Sequence, residues 1–316
     1  MEAPIHPPLG LRTVRVRAPG KINVSFRVGP GRADGYHSVA SVYLAVSLYE
    51  EVAATATAEP GITIGVRNAG PGDGGLLDVP LDSRNLAYRA AALMADVSEH
   101  STGVHLEITK SVPVAGGMGG GSADAAATLL ACDALWDSGL SREELAHIGA
   151  ELGADVPFAL LGGAAVGLGV GDELSPALAT GELHWVLVQA GYGLATPEVY
   201  RALDRLRLAE GREPAAPEAV EPGVLAALRR GDAAALATVL GNDLEPAAIE
   251  LSPGLAAVLE NGMAAGALTG LVSGSGPTVA LLARSAEDAA AIAGRLCADG
   301  LDASTVVGPV PGARII

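Results

Sequence analysis

Lysine is nearly absent from this 316-residue chain: Lys21 and Lys110 stand alone among 20 basic residues, the rest being arginine. A composition that supplies arginine for surface charge marks each lysine as a compact ammonium, which a wide planar guanidinium does not replace. Positive charge as a whole is also scarce. With 36 acidic residues the net charge is −16, which excludes nucleic acid and anionic membranes as partners held by bulk charge, since both are bound through clustered Lys and Arg. Cysteine is limited to Cys132 and Cys297, too few and too far apart for a disulfide framework or a zinc pattern, which reads as a reduced, cytoplasmic setting. Long apolar runs are missing too. The stretch Leu268 to Ala283 is interrupted by Gly270, Gly274, Gly276 and Pro277, and it falls short of the ~18 residues of a membrane span. The opening MEAPIHPPLG has no basic segment followed by an apolar one and does not read as a signal peptide.

Glycine and small apolar residues are what the chain has in quantity, with 42 glycines and 49% hydrophobic residues. The length suggests one large or two ordinary domains, with enough core to fold without staples. Period-two alternation predicts strands at 13–17, 22–28 and 38–52, with a short one at 62–66. A helix is expected from Asn85 to Val97 on the apolar stripe Leu86, Ala90, Leu93, Met94 and Val97. A strand at 104–109, a glycine-rich loop at 113–121 and a helix from an N-cap at Ser122 to Trp136 follow. Ser141 with Glu144 three residues on reads as a capping box, and 162–168 as a strand closing the first half. In the second half strands are expected at 184–189, 269–273, 278–283 and 303–307, and helices at 197–208, in the Ala-rich stretch to Leu240, at 253–266 and at 286–297. A Pro/Glu/Ala-rich surface loop covers 210–222. This mixed order predicts two α+β domains, 1–175 and 176–316, rather than a regular βαβ winding.

The densest signal is Gly116, Gly117, Gly119, Gly120 and Gly121 between a strand and a helix. Glycine lets backbone approach a ligand closely, and a helix start offers unpaired N–H groups and the positive end of a dipole, so the loop reads as a phosphate seat. It is neither of the two familiar phosphate loops. Ser122 stands where the P-loop has Lys, and no glycine triplet in the loop has dinucleotide spacing. The plainer alternative is a tight strand-to-helix turn. Asp155, set among small and apolar residues, is either a carboxylate in a low-dielectric pocket, in need of a cation or hydrogen-bond donors, or a helix N-cap. Gly274-Ser275-Gly276 is either a hairpin or a second backbone wall beside a phosphate.

Three motifs occur in order: Pro19-Gly20-Lys21-Ile22-Asn23, the loop from Pro113 to Ala123, and Gly274-Ser275-Gly276-Pro277. In these the chain resembles the GHMP kinase superfamily of small-molecule kinases. Further segments narrow the resemblance to a branch that phosphorylates a cytidyl diphosphate sugar alcohol on the non-mevalonate isoprenoid route: Arg32 to His37, Ser83 to Leu86, Gly153 to Pro157, Ala195-Thr196-Pro197 and Asn242 to Glu245. The resemblance implies a two-domain α+β fold, an N-terminal β-rich α/β domain carrying the glycine-loop helix and a C-terminal ferredoxin-like domain. It also implies ATP as co-substrate and Mg²⁺ with it, and since the sequence shows no dedicated carboxylate cluster, the ion is expected to be carried mainly by phosphates and water.

By that resemblance Asp155 is the general base and Lys21 its catalytic partner. ATP falls on Pro113, Val114, Ala115, Gly116, Gly117, Met118, Gly119, Gly120, Gly121, Ser122 and Ala123, with Asn85 and Lys110 near the adenine nucleotide. The acceptor falls on Asn23, Tyr36, His37, Thr196 and Tyr200, with Tyr36 and Tyr200 sandwiching a cytosine and His37 bonding its edge. Aromatic residues are only 3% of the chain, so two at a base pocket are a large share; partial core burial, or an exposed turn for Tyr36-His37, is the plainer reading. Met118 stands where many relatives have Leu, and Ala123 where a second Ser is usual, which leaves Ser122 as the hydroxyl facing phosphate. Two other classes are weighed: another GHMP small-molecule kinase, such as one acting on homoserine, and a nucleotide-binding sensor without catalysis. A sensor has no use for a general base, and Lys21 and Asp155 are both present.

Overall fold

A computed structural model of the chain describes residues 12–69, 79–211 and 213–316, and the opening decapeptide lies outside the described residues. The first half runs β1 (Thr13–Gly31), β2 (His37–Thr57), β3 (Ile62–Asn68), α1 (Leu86–Val97), β4 (Gly103–Lys110), α2 (Gly120–Trp136), α3 (Arg142–Ala150), α4 (Asp155–Leu161), β5 (Ala164–Leu168) and β6 (Glu173–Ala177). The second runs β7 (Leu183–Gln189), α5 (Thr196–Ala209), α6 (Pro222–Arg230), α7 (Ala233–Ala237), β8 (Gly241–Asn242), α8 (Glu245–Leu251), α9 (Gly254–Ala264), β9 (Thr269–Val272), β10 (Val279–Ala283), α10 (Ala286–Ala298), β11 (Asp302–Gly308) and β12 (Arg314–Ile315).

The first sheet follows the path β12-β1-β2-β4-β3, with β5 and β6 added from β2 and β8 beside β1. The strands expected at 13–17 and 22–28 are one strand. Pro19-Gly20 does not end it; the pairing with β2 shifts register there, and again between Asn23 and Ser25, as bulges beside functional sites do. Lys21 and Asn23 lie between the two shifts, two residues apart and therefore on one face. On β4, Val104, Leu106, Ile108 and Lys110 are all buried, so a lysine shares the face of three core residues. Glu50 stands in the same relation to Val52 and Ala54 on β2.

Helix α2 packs on β1, β2, α1 and α4. Ala123, Ala125, Ala126, Ala127 and Ala131 are buried on it together with Leu129, Leu135 and Trp136, so it is covered on nearly every side and has no single apolar stripe for periodicity to find. Helix α3 has the expected capping box, Ser141 N donating to Glu144 Oε2 at 2.8 Å and Glu144 N to Ser141 Oγ at 3.2 Å.

The second sheet is antiparallel in the order β11-β7-β10-β9. Counted along the chain this is fourth, first, third, second, the ferredoxin-like arrangement, and the two-domain α+β architecture is the one expected. Helices α5, α8, α9 and α10 supply its core with Val199, Leu203, Ala248, Leu255 and Ile292 against Val186, Val188, Val279 and Leu281. The Ala-rich stretch is broken in two, Gly231 at φ 62° ending α6 and the Asp232 side chain capping α7. Residues 213–221 hold no helix or strand, α8 is a helix that the sequence pattern did not predict, and α4 is the helix offered only through the N-cap alternative for Asp155. Strand β6 spans residues 175 and 176 and pairs with β5. Two short strands return to the first sheet, β8 parallel to β1 through Phe26 and Asn242, and β12 antiparallel to it through Val16 and Ile315. Strand β1 is where the two halves meet. Among the described residues no helix is long and apolar enough to cross a membrane.

Candidate active site

A cleft of about 700 Å³ opens along β1, bounded by the glycine loop, the start of α1, the start of α4, the start of α5 and the turn between β9 and β10. Buried Val112 and Met118 anchor the loop, and Lys21 N donates to Met118 O at 3.0 Å, fastening it to β1. Glycine is required at two points for different reasons. Gly117 has φ 77°, and a Cβ there would lie 2.3 Å from the Ser273 carbonyl oxygen, while a Cβ on Gly120 would lie 3.0 Å from Glu50 Oε1.

The helix behind the loop begins three residues earlier than the expected N-cap at Ser122 would place it. Gly119, left-handed at φ 71°, is the N-cap, and no side chain caps the helix. Ser122 is therefore the third helical residue, half-buried and facing the cleft. The N–H groups of Gly120, Gly121 and Ser122 have no intrahelical acceptors. They form, with the dipole, an anion seat at the cleft wall.

Lys21 Nζ lies 3.8 Å from Asp155 Oδ2. It donates to Asn23 Oδ1 at 2.7 Å and to the Gly117 carbonyl at 3.0 Å, and Asn23 in turn donates from Nδ2 to Ser41 Oγ at 2.7 Å. Burial depresses the Lys21 pKa, and the Asp155 charge opposes that shift. Ala154, not Asp155, occupies the N-cap position of α4, and Asp155 is the first helical residue, so the plain N-cap alternative is removed. Asp155 thus stands in the first turn of a helix and beside an ammonium.

The β9–β10 turn is a second wall of this site. A Cβ on Gly274, φ 58°, would fall 3.1 Å from Asn23 Oδ1 and 3.5 Å from Lys21 Nζ. Asn242 donates from Nδ2 to the carbonyls of Val272 and Gly274, both at 2.7 Å, and Glu245 Oε2 accepts from Val272 N at 2.8 Å. Asp243 Oδ2 accepts from Val28 N at 3.0 Å. The Asn242 to Glu245 segment thus pins the turn beside β1. Thr196 Oγ1 and Ser275 Oγ are 2.9 Å apart.

Two expected nucleotide contacts use their polar groups internally. Asn85 caps α1, accepting from Ala87 N at 2.9 Å and donating to the Pro80 carbonyl at 2.8 Å. Lys110 Nζ is held 2.6 Å from Glu50 Oε1 and 2.6 Å from Asp124 Oδ2. Both residues line the cleft, so they shape it.

The aromatic group is only partly assembled. The rings of His37 and Tyr200 lie 4.9 Å apart, tilted by 34°, and His37 Nε2 is 3.0 Å from Asp204 Oδ1. Tyr200 lines the cleft, and its phenol is pushed up to about 12 by burial, with the Asp155 charge adding to it. Tyr36 is 65% exposed. Its turn closes on itself, Arg32 N donating to Tyr36 O at 2.7 Å and Tyr36 N to Asp34 Oδ1 at 3.0 Å, so no Tyr36–Tyr200 sandwich is present.

Sequence reading missed Ser41, Glu50 and Asp204, and it left the local role of Asn242 unassigned. Ser41 and Asp204 depend on strand pairing and helix placement. Glu50 carried a signal, a charged residue in phase with buried Val52 and Ala54.

The GHMP kinase N-terminal domain family matches residues 85–163, and the GHMP kinase C-terminal family matches residues 224–301. The chain belongs to the GHMP kinases, whose co-substrate is ATP. Within that family it is 72% identical to a 4-diphosphocytidyl-2-C-methyl-D-erythritol kinase of Arthrobacter sp. strain FB24 over 305 residues, 96% of this chain and 95% of the relative. A protein of the same name in Streptomyces coelicolor is 52% identical over 306 residues, 96% of this chain and 99% of the relative. The crystal structure of a 4-(cytidine 5'-diphospho)-2C-methyl-D-erythritol kinase superposes with a TM-score of 0.73 at 33% identity, covering 94% of this chain and 99% of that one. A homoserine kinase from Cytophaga hutchinsonii, TM-score 0.72 at 21% identity over 96% of this chain and 97% of that one, shares the fold.

Proposed function

We propose that the chain transfers the γ-phosphoryl group of ATP to the 2-hydroxyl of 4-diphosphocytidyl-2-C-methyl-D-erythritol, a step of non-mevalonate isoprenoid biosynthesis. The observation that carries the chemistry is the Lys21–Asp155 pair at 3.8 Å, set beside a helix start whose N–H groups are uncapped. The substrate identity rests on full-length relatives 50–72% identical that carry this kinase name.

In this reading Asp155 accepts the proton of the attacking hydroxyl. Lys21, 3.8 Å from that carboxylate, offsets negative charge on the transferring phosphoryl group. Asn23, itself held by Ser41, fixes the ammonium, and the N–H groups of Gly120 to Ser122 take the phosphates. Mg²⁺ enters as the counter-ion of the nucleotide; among the described residues no three His, Cys, Asp or Glu side chains form a metal cluster. In this reading the cytosine lies against Tyr200 and His37, with Thr196 and Asn23 toward the diphosphate and erythritol, and Tyr36, exposed in the free protein, would have to move to cover its other face. The division into 1–175 and 176–316 and a cytoplasmic setting, supported by two free thiols, belong to the same reading.

Measurement of ADP release with the cytidyl substrate, homoserine and mevalonate tests it. Turnover with the first and not the others is expected. Turnover with homoserine alone assigns another kinase of the family, and ATP binding without any turnover assigns a sensor.

A further inference from the structure

Beneath the glycine loop, on the side away from Asp155, two carboxylates share one ammonium. Glu50 Oε1 and Asp124 Oδ2 each lie 2.6 Å from Lys110 Nζ, with the Glu50, Asp124 and Lys110 side chains 0%, 4% and 6% exposed. Ser111 N donates to Glu50 Oε2 at 2.9 Å, and Asp124 Oδ1 is buried without a hydrogen-bond partner. Fully ionised, the cluster carries a net charge of −1 on side chains buried at the cleft wall. Proteins avoid an uncompensated buried charge by taking up a proton.

We propose that Glu50, Lys110 and Asp124 form a proton-sharing triad that sets nucleotide affinity: with its proton the triad is neutral and holds the start of α2 toward the phosphates, and without it a negative charge lies beneath that seat. The inference rests on the reading of the cleft as a nucleotide site. Glu50 is a positioning residue here, since its Oε1 comes 3.0 Å from the point where Gly120, the first residue of α2, would carry a Cβ.

The surroundings confine the charge to these three side chains. From β4 come Lys110 and the Ser111 N–H, and from α2 comes Asp124; β1 presents Ala18 opposite Glu50, and α1 brings Leu86 to 3.6 Å from a Cβ on Gly121. Arg17 stacks on Tyr49. The Lys21–Asp155 pair faces Gly119 instead, 3.5 Å from a Cβ at that position. Burial pushes the Glu50 carboxyl up to about 8, the Asp124 charge adding to the rise and Lys110 and Ser111 opposing it. The Asp124 carboxyl is raised as well, by burial.

An acid raised in this way keeps its proton below about pH 8 and loses it above. Anionic ligands bind the protonated form better, so nucleotide affinity falls as pH rises. The test is the Kd of Mg²⁺ with a non-hydrolysable ATP analogue, measured by calorimetry from about pH 7 to about pH 9.5 on the full chain and on Glu50→Gln. In the unaltered protein Kd is expected to weaken by about tenfold over that range, the most that one linked proton gives per pH unit beyond its pKa. In Glu50→Gln, which is neutral at every pH, the profile flattens near the acid-side affinity. Lys21 and its surroundings are the same in both proteins, so the difference between the profiles reads the triad alone.

Parallel profiles overturn the proposal. Should Glu50→Gln not fold, Asp124→Asn makes the same test, since it leaves one carboxylate for one ammonium. A full chain that binds no nucleotide at any pH overturns the reading of the cleft and the inference together, whereas binding with parallel profiles overturns the inference only.

Discussion

The two lysines stand on opposite sides of the glycine loop, Lys21 facing Gly119 and Lys110 facing the neighbourhood of Gly120. Lys110 has two carboxylates at 2.6 Å. Burial pulls its pKa down, but the charges and hydrogen bonds of Asp124 and Glu50 outweigh that and raise it. Lys21 has one carboxylate at 3.8 Å and two neutral oxygen acceptors, and its pKa is lowered by burial. Each ammonium has two oxygens at hydrogen-bond distance, but those of Lys110 are both charged and those of Lys21 are both neutral, so Lys21 has attraction left for an anionic ligand although both are buried.

The largest effect should come from the Lys21 side. Asp155→Asn is expected to lower kcat by about 10²–10⁴-fold, the range for loss of a general base, while the Kd for ATP stays within a few-fold. Near-normal turnover would make Asp155 a structural residue and erase the contrast. Lys21→Arg is expected to fall with it, since a fork of five donors does not fit between Asn23, Gly117 and Asp155.

Stability should rank the two lysines the other way round. Lys110→Met leaves two buried carboxylates facing each other and is expected to cost about 3–5 kcal/mol in denaturant unfolding. Lys21→Met removes a desolvated ammonium with no close counter-charge, and leaving the Asn23 and Gly117 oxygens unpaired is expected to cost less, about 1–3 kcal/mol. Equal losses would show that the two sites differ in position only.

Much of this was legible in the sequence. Strand alternation in β4 and β7, the capping box at Ser141 and the glycine loop are local signals, and the rarity of lysine by itself pointed to both cations. What escaped was set by pairing between distant segments. Pro19-Gly20 looked like a strand end because a bulge has no local signature apart from the residues that also make turns. Ser122 looked like a cap because serine usually is one, whereas left-handed Gly119 holds that position here. The partners of Lys110, which the resemblance places near the nucleotide, were hidden because Glu50 and Asp124 lie on other elements. A test on phase would have found Glu50 and Lys110, each an ionisable residue in register with a strand's buried face, but not Asp124, which sits on a helix buried all round.

The smallest expected effect tests the loop between the two lysines. Ala115 holds φ 53°, a left-handed conformation that costs a residue with a Cβ about 1–2 kcal/mol. Ala115→Gly is expected to stabilise the protein by up to about 1 kcal/mol, read from the unfolding midpoint. A destabilisation would mean that the Ala115 methyl group, which would lie 2.7 Å from a Cβ on Gly193, makes packing contacts worth more than the strain.

The strand that carries Lys21 has a kinetic consequence. β1 pairs with its immediate successor β2, but its other neighbours, β8 and β12, come from the far end of the chain. Contacts between remote segments pay their loop-closure entropy before they are rewarded, so they form late. α1, α2 and α3 are built from neighbouring residues and can precede them. In refolding from denaturant, helical signal should therefore return ahead of phosphoryl transfer, the delay marking the time the polypeptide takes to bring its distant strands alongside the first.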